Sequence, residues 1–174
     1  MVFYNVRDDL YAGIFPKAIN IQKGSISYIA QSGSAFTTLC HNGNRLGFNL
    51  CVSSGNEMTT TVADYMDWSL EQPETSVIGL FLEAVRNPEA FVDALKKALD
   101  KSIPVVILKI GKSPLSSEMA LSHTGAVAGN HAAFEALYRR YGVISVDDFD
   151  EMAATLMLFQ NSPEPVPAQP ATIM

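Results

Sequence analysis

Cysteine is scarce in this 174-residue chain, which carries only Cys40 and Cys51. Neither belongs to a CxxC motif and both sit in apolar surroundings. That excludes a disulfide framework and predicts buried free thiols. Histidine is nearly as scarce. His41, His123 and His131 do not fall at metal-ligand spacings with carboxylates or thiols, so no metal is expected on this chain alone. Positive charge is also short: 12 Lys and Arg stand against 18 Asp and Glu, a formal net charge of −6. An acidic chain with no basic cluster is a poor partner for nucleic acid or for an anionic membrane surface. No apolar run approaches the length needed to span a bilayer. The N-terminus lacks a signal-peptide plan, since Asp8 and Asp9 come early, and the cytoplasm is the expected compartment.

What is present fits one globular domain with a sizeable core: 48% of residues are hydrophobic and 17% charged. Apolar runs of strand length recur, and helical patterns follow them. The runs are Ser25–Gln31, Gly47–Ser54, Ser76–Glu83, Ile103–Ile110 and the short GVISV ending at Val146. Helices are expected over Ser34–Asn42, Thr60–Glu71, Asn87–Asp100, Gly129–Tyr141 and Asp147–Phe159. The third is the clearest, with Asn87 as cap, Pro88 in the first turn, Glu89 complementing the dipole, and Lys96, Lys97 and Lys101 near the end. For the second, Thr59 or Thr60 is the expected cap.

Strands apolar on both faces that alternate with helices imply a parallel sheet covered on both sides. The fold class is therefore α/β: a doubly wound, flavodoxin-like sheet of five parallel strands in the order 2-1-3-4-5. Residues 1–23 show little periodicity and read as an extended lead-in. The segment from about residue 161 holds four of the nine prolines and reads as a disordered tail or linker.

In that strand order, the crevice at the carboxyl ends of strands 1 and 3 is the usual ligand site. Strand 1 runs into Gln31, Ser32, Gly33 and Ser34, a tight turn that opens a helix. Exposed N–H groups, the positive helix end and two hydroxyls make an anion site there. The plainer alternative is a serine cap and a turn glycine with no ligand. Strand 3 ends in Glu83, either a functional carboxylate facing the crevice or a solvated strand end paired with Arg86. The loop after strand 4 leads to His123 and can fold back over both strand ends. A neutral imidazole beside an anion site and a carboxylate can attack phosphorus, with the carboxylate holding the other ring N–H. The alternative for His123 is ordinary loop hydrogen bonding. Gly55, Asn56 and Glu57 follow strand 2 and lie near the same edge, close to substrate or as a polar rim. His41 is expected at the C-terminus of the first helix and His131 within a later one.

Taken in order, GSISYIAQSGSAF, VSSGNEMTTTVADYMDW, VIGLFLEAVRNPEAF, PVVILKIGKS and ALSHTGAVAGNHAAFEALYRRYGVISVDDFDEM resemble the second, flavodoxin-like domain of NDP-forming acyl-CoA synthetases, the superfamily of succinyl-CoA ligase. The resemblance covers about residues 24–159. It implies a relay in which acyl-CoA and phosphate give an acyl phosphate, whose phosphoryl group passes to a histidine and then to a nucleoside diphosphate. It makes His123 the phosphoryl acceptor, Glu83 the carboxylate that orients it, and Gln31, Ser32, Gly33 and Ser34 the phosphate-binding loop. Ser122, Thr124, Gly125 and Ala126 would belong to the phosphohistidine loop. Its small residues, with Gly129, would let it swing between two sites.

The resemblance also implies what lies elsewhere. No GxGxxG-type strand, loop and helix precedes Ser25, and no nucleotide-binding set follows Phe159. CoA, nucleotide and magnesium are therefore expected on a CoA-binding Rossmann-like domain and on an ATP-grasp domain or subunit. Residues 1–23 would be the joint after the CoA domain. The chain alone is expected to bind phosphate or acyl phosphate without completing the ligase reaction. Two other functions fit the same residues: a regulatory, acyl-sensing module of a protein acetyltransferase, and a structural domain that mediates subunit contacts. An isolated domain could also expose apolar surface and form a homodimer.

Overall fold

The structure is a computed structural model that describes residues 2–13, 21–41, 43–111 and 131–161, without the side chain of His131. Seven strands form one sheet in the order β2-β1-β4-β3-β5-β6-β7. They are β1 (Val2–Asn5), β2 (Leu10–Ala12), β3 (Lys23–Ala30), β4 (Phe48–Ser53), β5 (Val77–Leu82), β6 (Val105–Lys109) and β7 (Ile144–Val146). Among the described residues the helices are α1 (Gly33–Cys40), α2 (Val62–Leu70), α3 (Pro88–Asp100), α4 (His131–Tyr141) and α5 (Phe149–Asn161).

The five expected strands are β3 to β7, all parallel and in the expected order. Two further strands correct the count. β1 pairs antiparallel with β4, and β2 antiparallel with β1. Strands of four and three residues are too short to show a period, which is why this segment reads as a lead-in. Packing holds β1 in place: Tyr4 is 2% exposed and meets Phe36 of α1 edge-on at 5.4 Å. The turn between the two strands is clasped by Asn5, whose Nδ2 donates to Asp8 Oδ2 at 2.9 Å while its Oδ1 accepts from Asp8 N at 3.1 Å.

β4, β5 and β6 are buried at every position. Helices therefore cover both faces, and the core divides in two. Phe36 and Leu39 of α1 join Met152 and Leu156 of α5 on one face. On the other, Val62, Met66 and Leu70 of α2 join Phe91 and Leu95 of α3 and Phe134 and Tyr138 of α4. α5 comes close because β5 carries Gly79, where a Cβ would lie 3.1 Å from Leu156 Cδ1. The connections that leave β3 and β5 thus run to opposite faces, which opens a crevice at their carboxyl ends.

Local capping follows the sequence with one shift. Asn87 caps α3, its Oδ1 accepting from Ala90 N at 3.2 Å, with Pro88 in the first turn. α2 is capped by Thr61 rather than by Thr59 or Thr60, because Asp64 three residues on accepts from both Thr61 N (2.7 Å) and Thr61 Oγ1 (2.8 Å). His41 is the C-cap of α1, with its N–H donating to Thr37 O. Both cysteines are buried and free. No helix among the described residues is long and apolar enough to cross a membrane.

Candidate active site

The parallel strands β3 to β6 end at one rim. Ala30 of β3 is in register with Phe81 of β5 and with Ser53 of β4, so the segments beyond them emerge side by side. Ser32 is the N-cap of α1, and its Oγ accepts from Ala35 N at 3.4 Å. Its hydroxyl lies 2.9 Å from the Ser34 hydroxyl. Gly33 and Ser34 are exposed, and the first turn of α1 holds no acidic residue to offset its positive end. Among the described residues, a Cβ at Gly33 would meet only Ser53 Oγ, at 4.0 Å. The fold itself does not demand glycine there, whereas a ligand seated on the helix end would gain from the bare backbone.

Gln31 is tied into the neighbouring segment. It is buried, and its Nε2 donates to Ala84 O at 2.6 Å. Its Oε1 accepts from Glu83 N at 2.6 Å and from Ala84 N at 3.0 Å. Its backbone N–H donates to Phe81 O at 3.2 Å. One side chain therefore ties the start of the α1 turn to the residues just past β5. The serine cradle and Glu83 are brought together by this staple.

Glu83 is half-buried. While Gln31 holds its N–H, its carbonyl accepts from Lys109 Nζ at 2.8 Å. Lys109 is a residue that sequence reasoning passed over. The available signal was a charge inside the otherwise apolar run PVVILKI.

The loop after β4 supplies the third wall. Gly55 and Glu57 both adopt left-handed backbone, with φ of 65° and 53°, a conformation that costs energy at a glutamate. Glu57 is 7% exposed, and its Oε1 accepts from Ser54 Oγ at 2.8 Å, while Oε2 makes no hydrogen bond of normal geometry among the described residues. Burial raises its carboxyl pKa above the usual value; the Gln31 side chain, the Ser54 hydroxyl, the Val62 amide and Arg86 pull the other way. Gly55 and Asn56 sit in the turn between Ser54 and Glu57.

The rim thus gathers Gln31, Ser32, Gly33, Ser34, Glu83, Gly55, Asn56 and Glu57, together with Lys109. His123 and its neighbours Ser122, Thr124, Gly125 and Ala126 lie outside the described residues, as does the segment from residue 162. Among the described residues, no group of three or more His, Cys, Asp or Glu side chains is placed to hold a metal ion.

The profile described as "Succinyl-CoA ligase like flavodoxin domain" matches residues 23–159. The chain belongs to this family. The match begins with β3 and ends within α5, so the family's domain contains the whole rim. Among curated relatives, a trans-feruloyl-CoA synthase from an unidentified prokaryote is 40% identical over 59% of this chain and 14% of its own length. The alpha subunit of an ADP-forming acetate–CoA ligase II from Pyrococcus furiosus is 32% identical over 79% of this chain and 30% of its own length. In structure, this succinyl-CoA ligase-like domain resembles the dinucleotide-forming acetyl-coenzyme A synthetase 1 of Candidatus Korarchaeum cryptofilum, solved with phosphate and ADP. That likeness has a TM-score of 0.85 at 24% identity, over 94% of this chain and 36% of the other, and it confirms the fold. The chain spans less than a third of the length of these two curated relatives.

Proposed function

We propose that this domain is the phosphoryl-relay unit of an NDP-forming acyl-CoA synthetase, which converts acyl-CoA, NDP and phosphate to acid, CoA and NTP. The observation that carries the reading is the Gln31 staple. It ties the exposed, hydroxyl-lined helix N-terminus to the main chain of Glu83 on one rim. The family relationship and the ligase names of the relatives support it.

The steps follow from the chemistry of the groups. A phosphate oxygen attacks the acyl-CoA carbonyl and the thiolate of CoA leaves, taking a proton, to give acyl phosphate. The neutral imidazole of His123 then attacks phosphorus through one ring nitrogen, and the carboxylate of the acid leaves. Glu83 holds the proton on the other ring nitrogen and stabilises the positive charge that develops. The α1 N-terminus, Ser32 and Ser34 bind the non-bridging phosphoryl oxygens. Finally a terminal oxygen of NDP attacks the phosphohistidine and restores neutral His123.

In this reading CoA, nucleotide and magnesium belong to a CoA-binding Rossmann-like domain and an ATP-grasp domain or subunit. The domain alone binds phosphate or acyl phosphate without turning over.

The test uses the intact protein that contains this chain, with magnesium and ATP labelled in its γ-phosphate. Acid-labile, base-stable label is expected on the wild type and is expected to vanish in His123→Asn. Label retained in His123→Asn sinks the assignment. Glu83→Gln is expected to slow labelling severely, without abolishing it, while keeping its fold.

A further inference from the structure

Lys109 closes β6 after four buried apolar residues and is itself only 5% exposed. An ammonium stripped of water there needs replacement partners. It donates to Glu83 O at 2.8 Å and to Ile110 O at 2.6 Å, and it stands 5.3 Å from the centre of the Phe134 ring. The register between β5 and β6 does not depend on it, since Ile110 N already donates to Leu82 O at 3.0 Å and the two strands pair from Ile78 to Leu82. An apolar side chain of similar volume would serve packing at lower desolvation cost. The lysine is therefore explained by what it holds.

One of its holds is on the residue just past β5. Glu83 lies between β3 and β6, and a side chain from each flank grips its main chain. Gln31 from the β3 side takes the N–H, and Lys109 from the β6 side takes the carbonyl. Both peptide units next to Glu83 are fixed, and fixed backbone angles restrict the rotamers of the side chain they carry. Gln31 also holds the N–H and carbonyl of Ala84, so the chain just past the carboxylate cannot twist.

We propose that Lys109 is a positioning residue: from β6 it fixes the Glu83 main chain so that the carboxylate is presented at the rim in one orientation. The use made of that carboxylate rests on the phosphoryl-relay reading; the clamp itself is tested without it. In the 174-residue chain, side-chain scalar couplings are expected to show Glu83 in a single χ1 rotamer. They are expected to average in Lys109→Met, with the amide spectrum far from the rim unchanged. Averaged couplings already in the wild type overturn the proposal, whether or not the variant folds. So do couplings that remain single-rotamer in a folded Lys109→Met.

The intact protein gives the functional arm. Lys109→Met is expected to slow histidine labelling about 10- to 100-fold, as loss of an outer supporting group does elsewhere. In a Glu83→Ala background the same change is expected to cost less than about threefold, because it acts through a carboxylate that is gone. Equal slowing in both backgrounds means that Lys109 acts on stability or elsewhere, and overturns the proposal. If the wild type takes no label, the relay reading fails while the couplings still decide the clamp.

Discussion

Replacing Gln31 by methionine keeps the length and most of the volume of the side chain but removes its donor and its acceptor. Three hydrogen bonds go: Glu83 N to Oε1 at 2.6 Å, Ala84 N to Oε1 at 3.0 Å, and Nε2 to Ala84 O at 2.6 Å. Ala84 is 4% exposed, so both of its groups lose their partner without access to water. The half-buried Glu83 N–H can recruit water. At roughly 0.5–1.5 kcal/mol net per neutral bond, with the added penalty of two orphaned buried groups, the loss comes to about 2–4 kcal/mol. For a chain of this size that corresponds to a fall in Tm of about 5–15 °C. Urea unfolding followed by circular dichroism reads it as a lower midpoint at unchanged slope. A loss below about 0.5 kcal/mol, the range of an ordinary surface change, would refute the view that Gln31 joins the two strand ends.

Glu57→Gln tests the buried carboxyl. Its pKa is raised in the folded state, so the folded protein binds that proton more tightly than the unfolded chain does. The resulting stabilisation is complete below the unfolded value, near 4.5, and is lost as pH rises through the folded value. The variant is therefore expected to gain on the wild type as pH increases above about 4.5. A stability difference flat between acid and neutral pH contradicts this. Gly24→Ala tests a close backbone approach: the added Cβ would lie 2.5 Å from Gly47 Cα. A main-chain obstacle cannot rotate away, and a loss of about 1–3 kcal/mol is expected. Gly79→Ala is expected to cost less, since its nearest atoms are the movable ends of Leu156 and Met152. Thermal melts of the two variants check the order.

The parallel part of the fold was legible because β4, β5 and β6 are buried on both faces and so leave unbroken apolar runs. β1 and β2 were not. Their seven residues show no period, and what recruits them is an edge of β4 and the ring of Phe36, which no local pattern announces. The serine cradle and Glu83 could be placed at one rim because the switch point follows from strand order alone. The staple made by Gln31 could not be read, since main-chain partners on a distant segment carry no mark in sequence. Only its hydrogen bonds to Glu83 and Ala84 show that its side chain is occupied by the residues just past β5. The hold of Lys109 on Glu83 was hidden for the same reason, although its charge inside the apolar run PVVILKI marked the residue itself.

The central claim about this domain is that a helix end and a carboxylate meet at one rim, the carboxyl edge of the sheet. Titrating inorganic phosphate into the isotope-labelled 174-residue chain, and following its amides, addresses this directly. Saturable shifts confined to Gly33, Ser34 and Ala35 with Glu83 and Ala84 are predicted, and Ser32→Ala is expected to weaken them. Shifts that never saturate, or that fall away from both segments, would contradict it.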